Sequence, residues 1–247
     1  MTGKLYVIGI GPGDPELMTL KAVRILKDTP CLFVPKGREE GTSLALSIVQ
    51  KVLNLDGKEI VEAYFPMVKT VRSSEFGVQS GEDQQDLDTK WKETTEAVLN
   101  RLDTGMDAAF ITIGDPGIYS TFFYLYDRLL ERKPDLVIEI VPGISSINAA
   151  AARAGLYLGL GNERIAILPA NYLDSLEETL EKFDTVVLMK VSKVFNTVRD
   201  MLNRMNRAAQ ATYVVRAGMG DERVYRDIGQ VNEEEANYFS LMIVRKR

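Results

Sequence analysis

The residues whose types and spacing could do chemistry lie in three short stretches. These are Gly9-Ile10-Gly11-Pro12-Gly13-Asp14, Gly114-Asp115-Pro116-Gly117, and Pro142-Gly143 followed by Ser145-Ser146. The first invites comparison with the G-x-G-x-x-G phosphate fingerprint, in which glycines free backbone N–H groups to face a pyrophosphate at a helix start. The residues resist that reading. The third glycine comes one residue early, Pro12 removes a donor, and Asp14 puts a negative charge where phosphate would sit. An acid for a nicotinamide ribose is also missing where the second strand ends, at Pro35-Lys36. Asp115 and Pro116 repeat the pairing of an acid with a missing donor. Such strand ends disfavour phosphate and suit an uncharged or cationic ligand met by carbonyl oxygens and apolar surface. A sulfonium carrying an adenosine and an amino-acid tail is one. Any single glycine could merely make a tight turn; three such junctions at successive strand ends argue that they converge on one small molecule.

Composition narrows the chemistry further. The chain has no histidine, which excludes His triads, His bases and His metal ligands. Its one cysteine, Cys31, lies in an apolar run, reads as buried and inert, and cannot form a disulfide within the chain. Whatever chemistry occurs is therefore carried by a cofactor or by the substrate. A net charge of −5 argues against a broad nucleic-acid footprint. No apolar run approaches the roughly 18 residues of a membrane span. A strand pattern begins almost at once, so no secretory or transit segment is expected and the cytoplasm is the default compartment.

The elements that must position these stretches follow from periodicity. Ala108 to Ile113 runs apolar but for Thr112, as a strand buried on both faces of a parallel sheet can, and stops at Gly114. Leu5–Ile10, Cys31–Val34, Glu59–Phe65 and Val137–Val141 read as its companions, with Glu59–Phe65 mixed enough to lie toward an edge. Helices are expected after Thr19, after the hydroxyls of Thr42-Ser43, and from Leu87 to Leu102. Val71–Asp86 is polar and reads as a surface loop or, alternatively, a flap over a large ligand. Past Gly143 the rhythm changes. Ser145-Ser146 cap a small-residue helix that Gly155 ends. Five strands follow, at Arg164–Leu168, Thr185–Lys190, Ala211–Arg216, Val224–Ile228 and Ser240–Val244. The last three leave no room for helices between them and read as an antiparallel meander. The expectation is an α/β protein of two α/β domains, residues 1–142 with a mostly parallel sheet and residues 143–247 with a mixed one, the active-site cleft between them.

With these motifs in place, the sequence resembles the tetrapyrrole methylase family, which methylates porphyrin precursors with S-adenosylmethionine. The likeness spans essentially the whole chain and is carried by GIGPGDPELMTLKA at Gly9–Ala22, GDPGIYST at Gly114–Thr121 and VPGISSINAAAARAG at Val141–Gly155. VPKGREEGTSLALSIV at Val34–Val49 narrows it, resembling the C20 methyltransferases of cobalamin synthesis, which act on precorrin-2 or cobalt-factor II. The resemblance implies the tetrapyrrole methylase fold, a homodimer, and S-adenosylmethionine as methyl donor with S-adenosylhomocysteine as product. It matches Pro12, Gly114, Asp115, Ile118, Ser145 and Ser146 to cofactor-binding positions and, more weakly, Lys190 and Ala217. In the uroporphyrinogen-methylating branch the second strand ends in Tyr-Asp; here Val34-Pro35-Lys36 stands there, which argues against that reaction.

The mechanism so implied is an in-line displacement in which a meso carbon of the macrocycle attacks the sulfonium methyl. The absent His and Cys chemistry is then no obstacle. A base for the carbon's proton is unassigned, with tyrosine, aspartate and bound water all open. Tyr119 is a candidate by position only, against a reading as a packed tyrosine. The carboxylate-rich substrate calls for cations, for which Lys36 and Arg38 are the choice, against a reading as solvated surface charge. No metal-ligand cluster appears, so cobalt would arrive with the substrate. Alternatives are another branch methylating a different ring carbon or a protein diphthamide precursor, a nicotinamide-dependent oxidoreductase, and a non-catalytic tetrapyrrole-binding protein.

Overall fold

The computed structural model describes residues 2–36, 43–64, 81–170, 175–232 and 235–246, with the backbone alone for 64 and 81–87. The chain divides into two compact units, Met1–Ile144 and Ser145–Arg247.

The first unit is built on a five-stranded sheet. Strands β1 (Leu5–Gly9), β2 (Cys31–Lys36), β3 (Glu59–Tyr64), β4 (Ala108–Thr112) and β5 (Ile138–Val141) are arranged in the order β3-β2-β4-β1-β5, every pair parallel. Helices α1 (Leu20–Asp28), α2 (Leu44–Val49), α3 (Gly81–Asp103) and α4 (Phe122–Arg132) connect them. Alternation along each strand sorts the side chains into two cores. Leu5, Val7, Cys31, Phe33, Ala108 and Phe110 pack on one face against Trp91 and Val98 of α3 and Phe122 and Leu125 of α4. Ile8, Leu32, Val34, Ala109 and Ile111 pack on the other against Ala22 and Leu26 of α1 and Ala45 and Ile48 of α2. All five residues of β4 are buried, four apolar residues and Thr112. Strand β3 takes the edge its mixed sequence predicts.

Local signals set the helix starts. Thr19 caps α1 by accepting the Ala22 N–H at 3.1 Å, and Ser43 caps α2 by accepting from Leu46. Two expectations are corrected here. Residues 81–86, read as part of a polar loop, already belong to α3; the rest of that loop, 71–80, lies outside the described residues. Helix α4 was not foreseen, although Phe122, Leu125 and Leu129 give it a buried stripe.

The second unit opens with α5 (Ser146–Ala154), which Gly155 ends in a left-handed conformation at φ 65°. It continues through β6 (Ile165–Pro169), α6 (Leu176–Lys182), β7 (Thr185–Met189), α7 (Phe195–Arg204), β8 (Ala211–Val215), β9 (Arg223–Tyr225) and β10 (Ser240–Arg245). The sheet order is β6-β7-β10-β8-β9. Strands β6 and β7 are parallel; β10 runs antiparallel to β7 and β8, and β9 antiparallel to β8. The antiparallel pairing is as read from the sequence, but the meander is not, because β10 inserts between β7 and β8. Ile228, taken as a strand end, sits in a short 3-10 turn, Ile228–Gln230. Helices α6 and α7 cover one face of the sheet, and α5 packs on β8 and β10.

One buried charge ties this unit together. Arg245 on β10 makes two bonds to Glu163, at 2.9 and 2.8 Å, and one to Thr185 at 2.8 Å, while Tyr157 lies under its guanidinium at 3.8 Å. The segment after α5 is thereby fastened to the sheet by a satisfied cation, the form in which a buried charge is tolerated.

Candidate functional site

The three glycine stretches meet at the carboxyl edge of the first sheet. Strands β1 and β4 are neighbours, yet the helix after β1 packs on one face and the helix after β4 on the other. The chain therefore leaves the two strands toward opposite faces of the sheet, which makes their carboxyl ends a switch point, the place where open α/β sheets bind ligands. The loop after β1 and the turn after β4 touch across it. Gly114 N–H donates to Gly11 C=O at 2.7 Å, and Gly11 N–H donates back to Gly114 C=O at 3.4 Å. Both glycines are left-handed, at φ 81° and 76°. The third stretch closes on the first two. A Cβ on Gly143 would stand 2.3 Å from Gly114 O and 2.7 Å from Gly9 C, so backbone approaches backbone where no side chain fits.

Asp115 clamps this arrangement. Its Oδ1 accepts the Gly117 N–H at 2.8 Å and its Oδ2 accepts the Gly143 N–H at 2.9 Å, joining the turn after β4 to the end of β5. Bonds to an ionised acceptor are the stronger kind. Asp14 plays a smaller part, accepting from Glu16 N–H at 3.0 Å to cap a single 3-10 turn, Pro15–Leu17. The N–H groups of Gly11, Gly114, Gly117 and Gly143 are thus spent on protein acceptors, and a fixed carboxylate stands among them. These four donors are not available to a phosphate.

Pro12 is buried beside Gly11, and Ile118 is half-buried, its N–H donating to Asp115 C=O at 3.3 Å. Pro12, Gly114, Asp115 and Ile118 are therefore brought together. Lys36 ends β2, beside β4, at the same carboxyl edge. Its side chain is only 10% exposed, and its ammonium lies 2.8 Å from Glu62 on β3, so it is no solvated surface charge. Arg38 lies outside the described residues. Ser145 and Ser146 belong to the second unit, where the Ser145 hydroxyl caps α5, accepting from Asn148 N–H at 3.3 Å and donating to Asn148 Oδ1 at 2.9 Å. Lys190 follows β7, and Ala217, buried, lies two residues past β8. Because β7 and β8 are both antiparallel to β10, those two residues share one edge of the second sheet.

Tyr119 is only partly packed. It sits at φ 53°, a left-handed backbone unusual for an aromatic residue, and 45% of it is exposed. Partial burial raises its phenol pKa above the ordinary tyrosine value. Beside it, Ser120 Oγ accepts the Phe122 N–H at 3.2 Å and lies 3.3 Å from Thr112 Oγ1 at the end of β4. Cys31 is as inert as its apolar setting suggested: burial, with the charge of Glu59 adding to it, pushes its thiol up to about 11. Sequence reasoning missed Glu62 as the partner of Lys36 and Gly143 as the second anchor of Asp115. Both links join residues far apart in the chain, and only strand order brings them together.

Comparison with known proteins places this edge in context. Residues 4–231 match the sequence profile of the family described as Tetrapyrrole (Corrin/Porphyrin) Methylases. The chain is 36% identical to a protein of Methanocaldococcus jannaschii named probable cobalt-precorrin-2 C(20)-methyltransferase, over 98% of this chain and 96% of that one. It is 32% identical to the cobalt-precorrin-2 C(20)-methyltransferase of Salmonella typhimurium, over 100% and 98%. Among solved structures, the cobalt precorrin-4 methyltransferase CbiF superposes with a TM-score of 0.71 at 19% identity, over 98% of this chain and 94% of that one, a likeness of fold.

Proposed function

The chain belongs to the tetrapyrrole (corrin/porphyrin) methylase family, and from that premise we propose that it transfers a methyl group from S-adenosylmethionine to C20 of precorrin-2 or cobalt-factor II in cobalamin synthesis. The observation that carries this reading is the full-length likeness to two C(20)-methyltransferases, at 36% and 32% identity. The geometry is compatible with the cofactor. A fixed Asp115 carboxylate among spent N–H donors suits a sulfonium better than a phosphate. Pro12, Gly114, Asp115 and Ile118 are the residues of the first unit assigned to it; Ser145, Ser146, Lys190 and Ala217 are carried over from the resemblance.

When bound, S-adenosylmethionine supplies an electrophilic methyl group that an electron-rich carbon of the macrocycle takes in an in-line displacement. The protein's task is then alignment, which in favourable cases is worth about 7–11 kcal/mol, and exclusion of water. The clamp of Asp115 on Gly117 and Gly143 ties the turn after β4 to the end of β5, as alignment requires. Lys36 is assigned with Arg38 to substrate carboxylates, and in that role shares its ammonium with Glu62. A homodimer, which rests on the resemblance, working in the cytoplasm, the default compartment of the sequence reading, completes the proposal.

Thermal unfolding tests the cofactor assignment. At 100 times its Kd a ligand of the native state adds about 2.7 kcal/mol of stability, so S-adenosylmethionine raises the melting temperature by several degrees and NADP does not. No shift with S-adenosylmethionine contradicts the proposal.

A further inference from the structure

Of the described residues other than glycine, only Tyr119, Lys190, Asn206 and Arg216 have positive φ. Asparagine adopts that backbone with little strain; a tyrosine does not, and such strain persists where the surroundings enforce it, characteristically at functional sites. Tyr119 lies four residues past Asp115, in the turn after β4. The chain is held on both sides of it, by Asp115 on Gly117 at 2.8 Å and by Ser120 on the Phe122 N–H at 3.2 Å. These bonds explain how the conformation survives. They do not explain why a large ring occupies a position that glycine or asparagine would fill without strain. Core packing does not explain it either, because 45% of the residue is exposed while Phe122, three residues on, is fully buried.

We propose that Tyr119 is a substrate-positioning residue: the strained turn presents its ring at the carboxyl edge of β4 to the flat conjugated face of the tetrapyrrole. The inference rests on the methyltransferase reading above. It gives the residue a role that needs its aromatic face and not a proton, consistent with a phenol that stays protonated. An aromatic ring against a conjugated plane contributes beyond the area it covers, and the loss of one such contact corresponds to about a tenfold weaker complex.

The test compares Tyr119→Gly and Tyr119→Phe with the wild-type chain, using the intrinsic fluorescence of metal-free sirohydrochlorin to follow binding, calorimetry for S-adenosylmethionine, and thermal unfolding. Tyr119→Gly relieves the backbone and removes the ring. It is expected to unfold no lower than wild type and to hold S-adenosylmethionine with unchanged affinity, while binding the tetrapyrrole about tenfold more weakly. Tyr119→Phe keeps the ring and binds within about threefold of wild type. Equal tetrapyrrole binding by wild type and Tyr119→Gly overturns the inference alone. A lower melting temperature or weaker cofactor binding in Tyr119→Gly also overturns it, by making the ring structural. A wild-type chain that binds S-adenosylmethionine but no tetrapyrrole overturns both this inference and the reading it rests on.

Discussion

Replacing Asp115 offers the sharpest test of how the glycine edge is held. Its two oxygens take the N–H groups of Gly117 and Gly143 at 2.8 and 2.9 Å, and the second bond spans 28 residues of chain. A hydrogen bond to a charged group is worth about 1.5–3 kcal/mol net. Asp115→Ala removes both bonds, and because the turn is only partly buried the low end applies to each, giving about 3 kcal/mol in all. For a chain of this size each kcal/mol moves the melting temperature by about 2–4 °C, so a fall of about 6–12 °C is expected. Asp115→Asn keeps one acceptor but turns an amide NH2 toward the other N–H, and should cost about half as much or more. Scanning calorimetry reads both, and titration calorimetry with S-adenosylmethionine should show affinity falling with stability as the turn loosens. An Asp115→Asn chain melting within about 1 °C of wild type would refute the reasoning, since the two N–H groups would then not depend on this carboxylate.

Three further outcomes follow. Gly143→Ala sets a Cβ 2.3 Å from Gly114 O, a backbone atom, and should destabilise by about 1–3 kcal/mol or more in urea unfolding; Gly220→Ala, with nothing within 4 Å, is the neutral control. Glu139 is held down to about 2 by hydrogen bonds from Lys21 and then Lys4. Since its folded pKa is depressed, the melting-temperature advantage of wild type over Glu139→Gln should be complete above the ordinary glutamate pKa, shrink as pH falls from about 4.5 toward 2, and vanish below; a constant difference down to pH ~2 would contradict the assignment. Replacing Lys36 and Arg38 together by alanine should weaken tetrapyrrole binding and spare S-adenosylmethionine, and equal loss of both ligands in titration calorimetry would remove these cations from the substrate site.

What was legible in the sequence was local or periodic. The run Ala108–Ile113, apolar but for Thr112, announced a strand buried on both faces, Glu59–Phe65 announced an edge, and Thr19, Ser43, Ser145 and Gly155 marked helix ends by side-chain or backbone chemistry that acts within a few residues. The acids and prolines of the glycine stretches were read as unfavourable to phosphate, and the structure gives one of those acids, Asp115, two backbone N–H partners. The insertion of β10 between β7 and β8 was not legible, because strand order is a non-local choice that no short-range pattern encodes. Helix α4 was hidden by its aromatic residues: Phe123, Tyr124 and Tyr126 are strand-favouring types that blur the stripe at Phe122, Leu125 and Leu129. The early start of α3 was masked by polar residues that serve a solvated helix as well as a loop. Lys36 was legible as a cation, but its burial against Glu62 depended on β2 and β3 pairing in register, Lys36 opposite Tyr64.

The central claim concerns the carbon that is methylated. Incubating the chain with methyl-labelled S-adenosylmethionine and, separately, sirohydrochlorin, its reduced form precorrin-2 and the cobalt complex, then locating the label by mass spectrometry and NMR, addresses it directly. A single labelled methyl at C20 of precorrin-2 or the cobalt complex is the expected result. Label at another ring carbon, or none on any of the three, would contradict it.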